Sequence, residues 1–145
     1  MATPRILIIG ANGQIGTELG EALAARHGAQ AVITSDLAPT GRLPQLTHEA
    51  LDVTDAAALQ AVVKRHGITQ IYLLAAALSA NGEKHPQWAW NLNMGGLLNV
   101  LELARMQRLE RVFWPSSIAA FGPSTPPQAP QTTVRPPARV HAVNN

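Results

Sequence analysis

Apolar residues in this chain fall into four short runs that alternate with segments of helical period. The runs cover residues 5–9, 31–34, 70–74 and 111–114. The first of them is continuously apolar from Ile6 to Ile9 and is followed at once by a glycine, which is typical of a strand buried in a parallel sheet. We predict a strand at each run.

Three helices are predicted between these strands. The first ends near Gly28, and the second is capped by Thr54 and ends at Gly67. The third starts near Pro86 and extends to about Met106. The inward faces of the first two helices are predicted from apolar residues at helical spacing: Ile15, Leu19, Ala22 and Leu23, then Ala56, Leu59, Val62 and Val63.

The resulting element order, β-α-β-α-β-α-β, predicts an α/β fold. Helical crossovers between strands are right-handed and produce a parallel sheet covered on both faces, so we expect a doubly wound sheet of the Rossmann type. The length of 145 residues suits one domain of ordinary size, which we place at residues 1–122. Residues 123–145 contain six prolines and no acidic residue, and predict an irregular, proline-rich tail.

A glycine-rich loop, Gly10-Ala-Asn-Gly-Gln-Ile-Gly16, follows the first strand and opens the first helix. Gly10 would let the chain turn off the strand, Gly13 would let the backbone approach a pyrophosphate, and Gly16 would let the helix pack against the sheet. The helix beginning at Gln14 would direct free N–H groups at phosphate oxygens. Three glycines in a loop also suit a plain turn. The strand before the loop and the helix after it favour a dinucleotide site instead.

Asp36 stands twenty residues after Gly16, at the end of the second predicted strand. A carboxylate there accepts hydrogen bonds from the adenosine ribose and repels the 2′-phosphate of NADP, so the predicted cofactor is NAD. The alternative is a solvated turn residue. The predicted cofactor-binding residues are Gly10, Asn12, Gly13, Gln14, Ile15, Gly16, Asp36, Leu37, Asp52, Val53, Leu74, Ala75, Ala76 and Asn93.

Two further segments of this predicted site have equally simple structural explanations. Asp52 and Val53 would lie near the adenine, but Asp52 would equally well cap the next helix. The small residues after Leu74 suit a ligand lying over the sheet and also suit plain packing.

Composition and charge exclude several other kinds of function. The net charge is +2 and the arginines are scattered, which argues against nucleic acid as a partner. The absence of cysteine excludes disulfides and thiolate metal sites and suits the cytoplasm. The five histidines show no metal-ligand spacing, so no metal is expected, and no apolar run is long enough for a membrane span.

Four segments resemble a known enzyme family. They are GANGQIG, LDVTD, LLAAALSANGEKHPQWAWNLNMGGLLNVLELAR and RVFWPSSIAAFGPSTP, within residues 5–134. They are similar to L-threonine 3-dehydrogenases of the extended short-chain dehydrogenase/reductase type, in the NAD-dependent epimerase/dehydratase family. The resemblance implies that NAD takes a hydride as L-threonine is oxidised to 2-amino-3-oxobutanoate. Sugar-nucleotide epimerases, which share the architecture, are an alternative.

The same resemblance implies roles for individual residues. Ser117 occupies the position of a catalytic serine or threonine that orients the substrate hydroxyl, and Ser116 is the neighbouring candidate. Ser79 aligns with a residue that holds the amino acid substrate. Asn93 matches a helix asparagine that supports the proton relay, although an exposed helical asparagine is the simpler interpretation.

The catalytic base of that family, a tyrosine four residues before a lysine, is absent from this sequence. Tyr72 is the only tyrosine and is expected in the core, and the only lysines are Lys64 and Lys84. The resemblance ends near Val134, which suggests a truncated gene or a shifted reading frame. We therefore expect negligible turnover, and a non-catalytic NAD-binding fragment is the alternative function. The resemblance also implies a homodimer for the full-length protein and leaves the oligomeric state of this chain open.

Overall fold

The structure, a computed structural model, describes residues 3–77, 79–107 and 109–116. The elements in chain order are β1 (Ile6–Ile9), α1 (Gln14–His27), β2 (Val32–Asp36), β3 (Thr47–Ala50), α2 (Ala56–His66), β4 (Gln70–Leu73), α3 (Ser79–Lys84), α4 (Pro86–Trp90), α5 (Gly96–Gln107) and β5 (Arg111–Phe113). A short 3₁₀ turn precedes β2, and a π-helical turn (Asn91–Gly95) joins α4 to α5. The four predicted strands are all present.

In the described part of the chain, the strands form one parallel sheet of five in the order β3-β2-β1-β4-β5. The chain proceeds outward from β1 to β3 and then crosses back to place β4 on the other side of β1. The carboxyl ends of β1 and β4 are therefore the topological switch point, where α/β sheets bind their ligands. The predicted doubly wound fold is confirmed.

Alternation along the central strand divides the core into two layers. Leu7 and Ile9 point into a cluster formed with α2 and α5, while Ile6 and Ile8 point into a second cluster formed with Leu23 of α1. All four β1 side chains are essentially inaccessible to solvent. Because successive residues of a strand face opposite sides, helices must cover both faces, as they do here.

The sequence pattern misjudged the faces of the helices at several positions. Ile15, predicted to face inward, is 67% exposed at the start of α1. Ala22 and Ala56 are also exposed. The cap of α2 is Asp55 rather than Thr54, since the Asp55 carboxylate accepts from the backbone N–H of Ala58 at 2.9 Å.

Two stretches differ from the predicted element order. The edge strand β3 was not predicted, because Thr47-His-Glu-Ala50 has no apolar alternation and is held by backbone pairing with β2. The segment from Ser79 to Lys84, where no helix or strand was predicted, is the helix α3. The predicted third helix begins at Pro86 as expected, but its middle is the π-helical turn. Within the described ranges, no helix is long and apolar enough to cross a membrane.

An ion-pair cluster ties edge strand β3 to the end of α2. His66 Nε2 lies 2.6 Å from Glu49 Oε1, and Arg65 Nη1 donates to the same oxygen at 2.8 Å. The hydrogen bond from His66 is the largest influence that lowers the pKa of Glu49, Arg65 lowers it further, and partial burial opposes both. The carboxylate is therefore better stabilised in the folded than in the unfolded chain.

We expect Glu49→Gln to lower the free energy of unfolding by about 1 kcal/mol near neutral pH. Because the pKa of Glu49 is below its ordinary 4.5 in the folded state, this stabilisation is complete above that value and is lost as the pH falls through the folded pKa. Urea denaturation of both proteins, near neutral pH and at a pH of about 3, measures the difference. Glu102→Gln, which removes an exposed pair with Arg105, is the control. A Glu49→Gln effect of equal size at both pH values would contradict the assignment.

Candidate functional site

The glycine loop turns sharply at the carboxyl end of β1. Gly10 has φ of +85°, and a Cβ built on it would lie 2.6 Å from the backbone nitrogen of Ala75 at the end of β4. A Cβ on Gly16 would lie 2.5 Å from the Gly10 carbonyl oxygen and 2.6 Å from Ala11 Cα. Gly16 thus allows the start of α1 to approach the backbone of Gly10 and Ala11 closely.

Gly13 differs from the other two loop glycines. Among the described residues, a Cβ there would meet only the Gly10 carbonyl oxygen, at 3.4 Å, so this part of the chain leaves room for a side chain. Gly13 is exposed and lines both grooves described below. Its lack of a side chain keeps the surface of the loop open to a ligand.

The amino terminus of α1 faces the same space. Among the described residues no side chain caps this helix, and its first turn has no acidic residue. Thr17 donates its hydroxyl to the Gly13 carbonyl oxygen at 2.9 Å and holds the turn. The first N–H groups of a helix lack intrahelical acceptors and lie at its positive dipole end, so this arrangement suits an anion such as a pyrophosphate.

Asp36 lies beside the loop at the end of β2. Its Oδ2 accepts from the backbone N–H of Asn12 at 3.1 Å, while the carboxylate remains partly exposed. Asp36 lines a groove of about 310 Å³. The other residues around this first groove are Ile9, Gly10, Gly13, Leu37, Leu51, Asp52, Val53, Leu74, Ala75, Ala76 and Leu92. The lining combines apolar residues with two carboxylates, those of Asp36 and Asp52.

A second groove, of about 400 Å³, continues on the other side of the loop. It shares five residues with the first groove, namely Gly10, Gly13, Leu74, Ala75 and Ala76. Its remaining lining is Gln14, Ile15, Gly16, Leu73, Trp114, Pro115 and Ser116. The exposed Ile15, whose position contradicts the predicted helix face, is part of this lining. The two grooves together form an elongated site that crosses the switch point of the sheet.

Asp52 and Val53 line the first groove. Asp52 Oδ1 accepts from the backbone N–H of Thr54 at 2.9 Å and from its hydroxyl at 2.7 Å. Asp52 therefore stabilises a local turn, and the alternative that it caps α2 is wrong. Val53 is buried, and its carbonyl accepts from Asn99 Nδ2 at 3.0 Å. Leu51 and Leu92, which sequence reasoning missed, complete the floor.

Asn93 lies in the π-helical turn and is 4% exposed, not on the helix surface. Its Oδ1 accepts from the backbone N–H of Ala77 at 2.8 Å, just beyond β4. Its Nδ2 is buried with no hydrogen-bond partner in the part of the chain that the structure describes. π-Helical turns occur frequently at functional sites, and this one places an amide against Ala77, directly after residues 74–76 that line both grooves.

We expect Asn93→Ala to lower the free energy of unfolding by about 2–3 kcal/mol, because it leaves the buried backbone N–H of Ala77 unpaired and opens a cavity. Urea denaturation gives the value. Asn91→Ala, an exposed change in the same turn, should stay within about 0.5 kcal/mol of the wild type. Equal effects of the two substitutions would contradict a structural role for the Asn93 amide.

The structure describes the three candidate serines to different extents. Ser116 is exposed and lines the second groove next to Trp114. Ser79 is the first residue of α3, and its side chain lies outside the described part of the chain. Ser117 lies outside the described residues. The structure therefore brings Ser116 to the same site as Gly10 and Gly13.

Comparison with known proteins identifies the family to which this chain belongs. The model of the NAD dependent epimerase/dehydratase family matches residues 6–143. The chain belongs to this family. An uncharacterized epimerase/dehydratase of Staphylococcus saprophyticus is 44% identical over 144 residues, which are 97% of this chain and 45% of the relative. The family match extends beyond Val134, near which we expected the resemblance to threonine dehydrogenases to end.

Solved structures of the family have the same fold. The GalE-like L-threonine dehydrogenase of Cupriavidus necator, in its holo form, is 68% identical with a TM-score of 0.94, covering 97% of this chain and 46% of that one. The L-threonine dehydrogenase of Clostridium difficile is 40% identical with a TM-score of 0.89, covering 99% of this chain and 46% of that one. This epimerase/dehydratase chain spans less than half the length of these relatives.

Proposed function

We propose that this chain binds NAD across the switch point of its sheet. The adenosine would lie in the first groove, the pyrophosphate over Gly10 and Gly13 at the start of α1, and the nicotinamide end in the second groove. The observation that carries this proposal is the uncapped amino terminus of α1 beside the Asp36 carboxylate. A cradle for phosphate and an acceptor for ribose hydroxyls are the two groups that a dinucleotide needs, at the place where such folds bind it.

NAD is favoured over NADP by the same carboxylate. One oxygen of Asp36 is held by the Asn12 N–H, which leaves the other available to the adenosine ribose. A 2′-phosphate at that ribose would place negative charge next to a carboxylate, which costs free energy unless a cation compensates. In the described residues no ion pair involves Asp36.

We further propose that the chain is the NAD-binding part of an L-threonine 3-dehydrogenase. Support comes from the 68% identity to the Cupriavidus necator enzyme and from the serine-containing segments that resemble that family. When bound, NAD would supply the hydride acceptor for oxidation of the threonine hydroxyl. Ser116, which lines the second groove, and Ser117 would orient that hydroxyl, and Ser79 would hold the amino acid. Similarity to the Thermus thermophilus UDP-glucose 4-epimerase, at 24% identity, indicates the shared fold alone.

The 145-residue chain by itself is expected to bind NAD without turning over threonine. It has no tyrosine four residues before a lysine, and a general base typically accelerates such a reaction by about 10²–10⁴-fold. The orienting serines alone cannot accept the hydroxyl proton at neutral pH. The remaining function is that of a nucleotide-binding unit.

Two measurements on the purified chain test these proposals. Calorimetric titration with NAD and with NADP should give binding of NAD and weaker binding of NADP. NADH absorbance after addition of L-threonine and NAD should remain constant. Absence of NAD binding would overturn the cofactor proposal, and steady production of NADH would overturn the proposed lack of turnover.

A further inference from the structure

The segment between β2 and β3, residues 37–46 (the β2–β3 loop), consists of two differently anchored halves. Leu43 and Leu46 are buried in the core layer of α1, and a Cβ on Gly20 of that helix would lie 2.7 Å from Leu43 Cδ1. The half nearest Asp36 includes Leu37, which is 69% exposed and lines the first groove. Apolar burial therefore fixes the far half, and polar contacts must fix the half that faces the ligand.

Asn12 supplies two of those polar contacts from the glycine loop. Its Nδ2 donates to the Thr40 carbonyl oxygen at 2.9 Å, and its Oδ1 accepts from the Arg42 N–H at 3.0 Å. Both groups of the amide are thus used on backbone of the β2–β3 loop. The backbone N–H of Asn12 also holds Asp36 Oδ2. One residue therefore connects the phosphate-facing loop, the ribose-facing carboxylate and the loop beside them.

The other polar contact comes from the sheet side. His48 of β3 places Nε2 3.0 Å from the Ala38 carbonyl oxygen and Nδ1 3.0 Å from Thr34 Oγ1. This contact holds the start of the loop against the edge strand, away from the glycine loop. The Asn12 amide is the contact that closes the gap between the glycine loop and residues 40–42.

We infer that Asn12 is a positioning residue for cofactor selectivity: its side-chain amide holds the β2–β3 loop closed beside Asp36 and so excludes a 2′-phosphorylated dinucleotide. This inference rests on the proposed NAD binding. A 2′-phosphate on the bound adenosine would need space between Asp36 and the β2–β3 loop, beside Leu37. With the loop fixed, the phosphate cannot move away from the carboxylate, whereas a released loop can make room and admit water and ions between the charges.

A purely structural role would have a different signature. If the amide only stabilised the fold, its loss would lower the melting temperature and weaken NAD and NADP equally. A selectivity role changes the ratio of the two dissociation constants, which stability alone does not move. Asn12→Ala keeps the backbone N–H that holds Asp36, so it isolates the amide.

The experiment is calorimetric titration of the 145-residue chain with NAD and NADP. For Asn12→Ala we expect the NADP-to-NAD ratio of dissociation constants to fall by about tenfold, the size associated with two lost hydrogen bonds. Gln60→Ala, a change on α2 away from both grooves, should leave the ratio as in the wild type. Hydrogen exchange of the Arg42 amide should accelerate in Asn12→Ala alone.

A second pair of variants breaks the same contact from the other side. Arg42→Pro removes the N–H that donates to Asn12, whereas Arg42→Ala removes the same charge and keeps the N–H. We expect the NADP-to-NAD ratio of dissociation constants to be lower for Arg42→Pro than for Arg42→Ala. If Asn12→Ala does not fold, the comparison of these two Arg42 variants tests the role of the Asn12 amide by itself.

The outcomes separate the inference from the function on which it rests. Two results would overturn the role of Asn12. One is an NADP-to-NAD ratio of dissociation constants in Asn12→Ala within about twofold of the wild-type ratio, because the loss of two hydrogen bonds should change it by more. The other is an equal ratio in Arg42→Pro and Arg42→Ala. Failure of the wild-type chain to bind NAD would instead overturn the proposed function.

Discussion

Gly10→Ala is expected to abolish NAD binding and to lower the free energy of unfolding by about 3 kcal/mol or more. Two independent costs add at this residue. Its φ of +85° is unfavourable for any L side chain, and its Cβ would lie 2.6 Å from the Ala75 nitrogen and 2.9 Å from the Leu74 carbonyl carbon. Those backbone atoms directly follow β4. The ends of β1 and β4 would therefore have to separate at the residues that line both grooves.

Two other glycines provide matched controls for this prediction. Gly67, at φ +59°, has no atom of the described chain within 4 Å of a built Cβ, so Gly67→Ala should cost only about 1 kcal/mol of conformational strain. Gly13→Ala should fold almost normally and lose NAD affinity, because its Cβ points into the open site. Urea denaturation and calorimetry measure both properties. A Gly10→Ala chain as stable as Gly67→Ala would show that the close approach of β1 and β4 is not required.

The part of this site that is local in sequence could be predicted from the sequence. Glycine spacing and an acidic residue after the second strand follow directly from what a strand–loop–helix unit must do with a dinucleotide. Gly10, Gly13 and Asp36 accordingly lie around one groove. The apolar runs that predict strands also place the switch point, because crossover handedness leaves little choice of topology.

Features that depend on tertiary contacts were not predictable in this way. Strand β3 is specified by pairing with β2 rather than by its own residues, and Asn93 is buried where its amide oxygen accepts from the Ala77 N–H. A polar side chain is expected on the surface of a helix, so the burial of Asn93 was not predicted. Similarly, Ile15 is apolar because it lines a groove and not because it faces the core. Exposed apolar residues at a helix start were the available signal for a ligand surface.

Asp36→Asn is expected to reverse much of the preference for NAD, shifting the NADP-to-NAD ratio of dissociation constants by about 30- to 100-fold. The amide keeps an oxygen that can accept from the Asn12 N–H, so the loop geometry is preserved while the charge is lost. NADP binding should improve because the repulsion of its 2′-phosphate disappears. NAD binding should weaken because a neutral acceptor binds ribose hydroxyls less strongly than a carboxylate.

Salt dependence separates this electrostatic cause from a change of shape. Asp36 is partly exposed, so the wild-type preference should decrease as ionic strength rises, whereas the Asp36→Asn preference should change little. Asp52→Asn removes a carboxylate from the same groove, but one already engaged with Thr54, and should alter both affinities in parallel. Equal shifts from Asp36→Asn and Asp52→Asn would mean that the total charge of the groove, and not the position of Asp36, determines which dinucleotide is bound.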